Sequence, residues 1–248
     1  MSEGIQLKKF ALAALDVVLP SFCGACDVRI PARGPALCDT CLAGIDPVGD
    51  NVCLRCGARQ GPYVGKLEQC AQCQDFPLDW PFKEVFAIAE HDGPLREAVL
   101  HLKFAGRHAN AALLGEMLAD LLRRRECQPE IVVAVPLSKQ RLHERGYDQA
   151  KLLGAALAKS VGADFVPNAL KRVKATKAQA MLSSAERRAN TKGAFQLNPK
   201  AIDRLRERSL LLVDDVLTTG STLAEAGRTL RKAEPEAIFA ALAARSKL

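Results

Sequence analysis

Leu211-Leu212-Val213-Asp214-Asp215-Val216-Leu217-Thr218-Thr219-Gly220-Ser221-Thr222 is the stretch that decides the fold. Its apolar run ends on two adjacent acids, as expected of a strand buried on both faces. Hydroxyl residues around one glycine follow, and helical spacing starts near Thr222. A strand that turns through glycine into a helix gathers backbone N–H groups and a positive helix end at one spot, which suits a phosphate. Gly220 permits a positive φ or a close backbone approach. Thr218, Thr219, Ser221 and Thr222 supply hydroxyl donors, while Asp214 and Asp215 can accept from vicinal sugar hydroxyls or orient a hydrated Mg²⁺. Acid and hydroxyl ends together fit an anionic ribose phosphate. A merely capped helix beside solvated acids is the alternative, disfavoured by paired acids directly after a buried strand.

Outward from this stretch the pattern is α/β. Val85 to Ala89 reads as a strand, Asp92-Gly93-Pro94 as a turn with proline at a helix start, and Leu95 to Phe104 as a helix. A second helix is expected from Ala109 to Arg125. Ile131 to Val135 is a β-branched run ended by Pro136, a buried parallel strand. A long helix from Gln140 to Ser160, a short strand near Asp164 to Pro167 and the strand Leu210 to Val213 complete the alternation. Such alternation predicts a mostly parallel sheet flanked by helices, with ligands beyond the carboxyl ends of its strands.

The N-terminal part has a different chemistry. Eight of the nine cysteines form four Cys-x-x-Cys pairs: Cys23/Cys26, Cys38/Cys41, Cys53/Cys56 and Cys70/Cys73. A two-residue spacer lets two sulfurs of one turn converge on a tetrahedral ion, so two all-sulfur zinc sites are expected. Disulfides and an iron–sulfur cluster are the alternatives; no convincing secretion signal supports the first, and evenly paired knuckles suit zinc ribbons better than the second. The first knuckle maps onto the third with an offset of 30 residues and the second onto the fourth with an offset of 32. A duplicated ribbon of this kind favours sequential pairing over a cross-braced arrangement. Cys127 stands alone and reads as an ordinary free thiol.

A chain of 248 residues has room for one α/β core of ordinary size and one small module. The boundary is placed at residue 80, giving 1–80 and 81–248, with Asp75 to Pro81 as linker. No apolar run reaches the roughly 18 residues of a membrane span. The Lys8 to Leu19 stretch is interrupted by Asp16 and reads as a short amphipathic helix rather than a signal peptide; a cytoplasmic protein is expected. Residues 1–80 hold seven Lys/Arg against nine Asp/Glu, so the net charge of +7 belongs to the larger domain. Two zinc–tetrathiolate sites, each −2, would lower it to about +3.

The acid pair with Thr-Thr-Gly-x-Thr resembles the phosphoribosyl pyrophosphate motif of type I phosphoribosyltransferases. Further segments resemble the ComF/GntX family, linked to DNA uptake in natural competence. These are the cysteine knuckles, Leu102-Lys103-Phe104, Val135-Pro136-Leu137, Arg145-Gly146-Tyr147-Asp148-Gln149-Ala150, Gln179 with Glu186-Arg187-Arg188-Ala189-Asn190, and Gly193-Ala194-Phe195. The resemblance implies that Pro136, Leu137, Ser138 and Lys139 form a pyrophosphate loop and that about Lys174 to Lys192 is a mobile loop.

Arg141, Arg145, Arg172, Lys174, Lys177, Arg187, Arg188 and Lys192 would ring the mouth of the sheet. They suit a pyrophosphate, or the backbone of single-stranded DNA by counterion release. Aromatic residues are only 5% of the chain, so stacking platforms for bases are few. His91, His101, His108 and His143 share no metal spacing with the cysteines and read as ordinary surface or satisfied residues. Three functions follow: a nucleic-acid-binding accessory of DNA uptake, a transferase of ribose 5-phosphate to a nitrogen base, or a protein for which phosphoribosyl pyrophosphate is a regulatory ligand. With no Walker lysine motif, any ATP-driven DNA translocation belongs to a partner ATPase.

Overall fold

The computed structural model describes residues 20–31, 36–74, 76–77, 79–174 and 191–246. The helix expected over Lys8 to Leu19, and Lys177, Arg187 and Arg188 of the expected mobile loop, lie outside the described residues.

Five strands form the central sheet: β3 (Val85–Glu90), β4 (Ile131–Ala134), β5 (Asp164–Phe165), β8 (Ser209–Leu217) and β9 (Ala237–Arg245). Their order is β3-β9-β8-β4-β5 and every pairing is parallel. The continuous apolar runs of β4 and β8 are explained by burial on both faces. One face carries α2 (Gly93–Phe104), α3 (Ala109–Arg124) and α5 (Gln149–Val161); residues such as Leu102, Leu118 and Leu157 form its core with Val132 and Val213. The other face carries α7 (Ser221–Arg231) and α6 (Ile202–Leu205), packed through Leu223, Leu230 and Leu205 onto Leu210, Leu212 and Leu242. An antiparallel strand pair, β6 (Leu170–Arg172) with β7 (Phe195–Leu197), joins that second core.

Two local features depart from expectation. The helix expected over Gln140 to Ser160 is two helices, α4 (Lys139–Arg145) and α5. Gly146, at φ 77°, ends α4 in the left-handed region, and the Asp148 carboxylate accepts the Lys151 N–H to start α5. Strand β9 is rich in alanine, a helix former by intrinsic preference; its pairing with both β3 and β8 overrides that preference.

The cysteine-rich segment wraps the free edge of β3. The Val48 N–H donates to Ile88 O at 2.8 Å and the Val85 N–H to Leu54 O at 2.8 Å, so Val48, after the second knuckle, and Leu54, inside the third, cover an edge that would otherwise expose unpaired backbone groups. Short strands β1 (Ser21–Phe22) and β2 (Arg29–Ile30) and helix α1 (Asp39–Ala43) complete the first half of this segment. Its first four cysteines lie beside the α2/α3 core, and the last four are built into the α7 core. Among the described residues no helix is long and apolar enough to cross a membrane.

Candidate functional site

A cleft of ≈ 260 Å³ opens at the carboxyl ends of β4, β8 and β9, where ligands bind in open parallel sheets. Strand β8 carries Asp214 and Asp215 to its floor. Asp215 is held on both oxygens: Lys103 Nζ approaches Oδ1 at 2.8 Å and Gln149 Nε2 donates to Oδ2 at 2.7 Å. Asp214 accepts the Asp215 N–H on Oδ1 at 2.8 Å and also lines the cleft. Burial, with the Asp215 charge added, pushes its carboxyl up to about 8. The paired acids therefore differ: Asp215 is anchored by its neighbours, whereas Asp214 forms no salt bridge among the described residues and is the one an incoming polar ligand would relieve.

Lys103 and Gln149 belong to segments that sequence reading singled out without giving either residue a role. The structure shows that these segments form one unit. The Tyr147 hydroxyl donates to Leu102 O at 2.6 Å and accepts the Gly106 N–H at 3.2 Å, and Arg145 stacks on Phe104 at 4.7 Å. Asp148 accepts the Leu137 N–H at 3.3 Å while capping α5, which ties the loop after β4 to the helix that supplies Gln149. Burial raises the Asp148 pKa.

At the other side of the cleft Gly220 has φ 71° and precedes α7, whose start no side chain caps. The first-turn N–H groups of a helix have no intrahelical acceptor, so this end is suited to an anion. Thr218, Gly220 and Thr222 line the cleft; the Thr219 and Ser221 hydroxyls lie 3.2 Å apart and bond each other. Of the loop after β4, Pro136 and Leu137 line the cleft. Ser138 instead caps α4, and with Lys139 it borders an adjoining groove shared by Lys171, Arg172 and Lys174. Lys174 Nζ donates to Lys192 O at 3.0 Å.

Arg141, Arg145 and Arg172 all reach the cleft. Burial, then the nearby Arg141 charge, lowers the Arg172 pKa; an oligophosphate between these guanidiniums would relieve that repulsion. His91, expected to be an ordinary histidine, also lines the cleft, and its buried Nε2 has no hydrogen-bond partner among the described residues. Burial and the Lys103 charge lower its pKa.

The cysteines form two groups of four, Cys23/Cys26/Cys38/Cys41 and Cys53/Cys56/Cys70/Cys73, with all sulfurs of a group within 4.8 Å of one another. This is the sequential pairing. Sulfur pairs Cys26–Cys38, Cys53–Cys73, Cys56–Cys70 and Cys70–Cys73 are 3.7, 3.7, 3.6 and 3.8 Å apart. A zinc ion with ligands at about 2.3 Å requires tetrahedron edges of about 3.8 Å, whereas a disulfide requires about 2.05 Å. The donor sets fit zinc. Cys23 accepts the Cys38 N–H at 3.3 Å and the Ala25 N–H at 3.5 Å; burial raises its pKa, yet such N–H donors bring it down to about 6. Cys53, chiefly through its bond with the Cys56 sulfur, falls to about 5. Burial and the same sulfur–sulfur interactions push their partners Cys26, Cys41, Cys56 and Cys73 up, and a bound cation would favour the thiolate form of all of them. Cys127 lies apart, its thiol pushed up to about 12 by burial.

A parallel α/β sheet with an acid-pair loop, wrapped by two tetracysteine sites, defines a zinc-ribbon protein built on the phosphoribosyltransferase fold. Two family profiles agree: one described as a double zinc ribbon domain matches residues 14–74, and one described as a phosphoribosyl transferase domain matches residues 152–247. The "DNA utilization protein YhgH" of Salmonella typhimurium is 30% identical over 219 residues, covering 86% of this chain and 92% of the relative. "Competence protein F" of Haemophilus influenzae is 34% identical over 191 residues, covering 75% and 81%. The chain belongs to the ComF/YhgH family. Among solved structures, one titled as the allosteric regulatory enzyme of purine biosynthesis is 16% identical, with a TM-score of 0.39, covering 58% of this chain and 30% of that one.

Proposed function

We propose that this protein binds phosphoribosyl pyrophosphate with Mg²⁺ in the cleft and serves DNA uptake or utilisation as a nucleic-acid-binding accessory. The observation that carries the ligand assignment is the convergence of Asp214, the uncapped start of α7 and three arginines on one cavity. In this reading the ribose hydroxyls meet Asp214, the 5′-phosphate meets the Thr218 to Thr222 loop, and the pyrophosphate lies between Pro136-Leu137 and Arg141/Arg172. Mg²⁺ enters with the pyrophosphate and is oriented by Asp214. The DNA role draws on the names of the relatives. Its path is the adjoining groove, where Lys139, Lys171, Arg172 and Lys174 can follow a phosphate backbone.

The test is to titrate phosphoribosyl pyrophosphate with Mg²⁺, and single-stranded DNA separately, into wild type, Asp214→Asn and Lys139→Ala/Lys171→Ala. The Asp214 variant should lose the small ligand and keep DNA, and the lysine variant should do the reverse. Normal binding of the small ligand by Asp214→Asn would sink the site assignment.

His91 favours a second reading. A neutral imidazole in the cleft can accept the proton that a nitrogen base loses on bonding to ribose C1. Pyrophosphate release over a panel of bases, abolished by His91→Ala, is the result that would establish transferase activity.

A further inference from the structure

Of the stretch Asp75 to Pro81, expected to be a linker, Phe76, Pro77, Asp79, Trp80 and Pro81, together with Phe82, pack beside α7 and are held at one end by the second cysteine cluster. Gly220 and Gly227 are seven residues apart, two turns on one helix face, and both make room for this segment. A Cβ on Gly220 would lie 2.8 Å from Trp80 Cζ3 and 3.1 Å from Phe76 Cδ2, and a Cβ on Gly227 would lie 2.4 Å from Pro81 Cγ. Polar contacts bind the same segment to the far end of the helix: Arg231 pairs with Asp79 at 2.6 Å and donates to Trp80 O at 3.1 Å.

The other side of the segment is fixed to the cysteine cluster. The Phe76 N–H donates to Cys73 O at 3.1 Å. Arg55, inside the Cys53/Cys56 knuckle, donates from Nη2 to Pro77 O at 2.6 Å, and its guanidinium sits 5.4 Å from the centroid of the Trp80 ring. Trp80 is wedged between Phe76 and Phe82 at 5.1 and 5.2 Å. A continuous run of contacts thus leads from the second tetrathiolate to the glycine at the mouth of the cleft.

We infer that the second cysteine cluster, acting through Arg55, Phe76 and Trp80, positions the phosphate-binding loop and the start of α7. These are positioning residues: none is expected to touch ligand. An aromatic wall behind Gly220 holds the backbone at its positive φ and keeps the loop N–H groups aimed into the cleft. Tetrahedral closure of the cysteines fixes the knuckle from which Arg55 and Phe76 reach. The inference rests on the ribose-phosphate reading for the identity of the ligand, but not for the coupling itself.

Backbone hydrogen exchange at Thr218 to Thr222, measured in the full zinc-loaded chain, tests the coupling directly. Trp80→Ala should speed exchange at these amides at least tenfold with zinc content unchanged, and should weaken phosphoribosyl pyrophosphate·Mg²⁺ binding at least tenfold. Trp80→Phe should restore most of both, and Arg55→Ala should produce a smaller change of the same kind. Wild-type exchange at Thr218 to Thr222 in Trp80→Ala overturns the inference; if that variant does not fold, wild-type exchange in Arg55→Ala overturns it equally. Faster exchange in a protein that binds no phosphoribosyl pyrophosphate even as wild type upholds the coupling and removes only the ligand reading.

Discussion

The two cysteine clusters share a ligand set and a duplicated spacing, yet they are embedded differently. In the first, Cys26 is exposed and Cys38 half-buried; in the second, all four cysteines are buried. The first docks on helices: Gly24 O lies 3.0 Å from Asn110 Nδ2 and 2.9 Å from His101 Nδ1, and Arg107 pairs with Asp27 at 2.7 Å. The second is built into the core beneath α7 and contacts the segment that braces the phosphate loop. Duplicated ribbons thus take unequal parts, one covering the back of the α2/α3 layer and one shaping the cleft.

Breaking each cluster in turn should give the largest contrast. Cys56→Ser should abolish binding of the ribose phosphate and lower Tm by on the order of 10 °C, since metal binding contributes folding energy. Cys26→Ser should cost one zinc ion and leave the ligand affinity within about threefold, because its neighbours do not enter the cleft. Equal losses of affinity, measured by calorimetry beside metal analysis, would erase the distinction.

Glycine substitutions sharpen the same contrast at smaller cost. Gly220→Ala forces a side chain into the left-handed region at roughly 1–2 kcal/mol and against Trp80, so both stability and ligand affinity should fall. Gly24→Ala places a Cβ 1.8 Å from Asn110 Oδ1, displacing a buried side chain that bonds Gly24 O and Ala98 O. Stability should drop by about 2 kcal/mol with affinity nearly unchanged. Denaturant unfolding and ligand titration of the two variants side by side are sufficient.

A chelator challenge should separate the clusters in time. Exposure of Cys26 admits the chelator, so one equivalent of zinc should leave early with the cleft intact. The second equivalent should leave late, together with the protection of the Thr218 to Thr222 amides. Release in a single phase would contradict the difference in burial.

The smallest effect concerns Asp214. Its carboxyl is raised to about 8 in the folded protein against about 3.9 unfolded. Between these values the unfolded chain carries the charge while the native site holds the proton, so ionisation increasingly favours unfolding as pH rises from about 4 to about 8. Asp214→Asn, which cannot ionise, should therefore gain on wild type in Tm across that window and gain little more above it. A constant difference from pH 4 to 9 would show that the half-buried Asp214 ionises in the native site as it does in the unfolded chain.

The strand, acid pair and glycine turn were legible because apolar run, charge and turn chemistry lie within twelve consecutive residues. The zinc sites were legible for the same reason, as each knuckle is a local spacing. What escaped was non-local or contrary to propensity. Strand β9 is alanine-rich and takes its form from two neighbouring strands. Lys103 and Gln149 meet Asp215 from distant points in the chain, so their role had no local pattern. Asp75 to Pro81 carries two prolines and the lone tryptophan, which reads as a linker until Gly220 and Gly227 are seen to make room for Phe76, Trp80 and Pro81. His91 looked ordinary because only the fold turns it toward the cleft.

Diffraction from the zinc-loaded protein crystallised with phosphoribosyl pyrophosphate and Mg²⁺ tests the central claim most directly. The predicted result is a 5′-phosphate on the N–H groups of Thr218 to Thr222, ribose hydroxyls at Asp214, and pyrophosphate between Leu137 and Arg141. A ligand bound away from Asp214, or an empty cleft at saturating ligand, would contradict it.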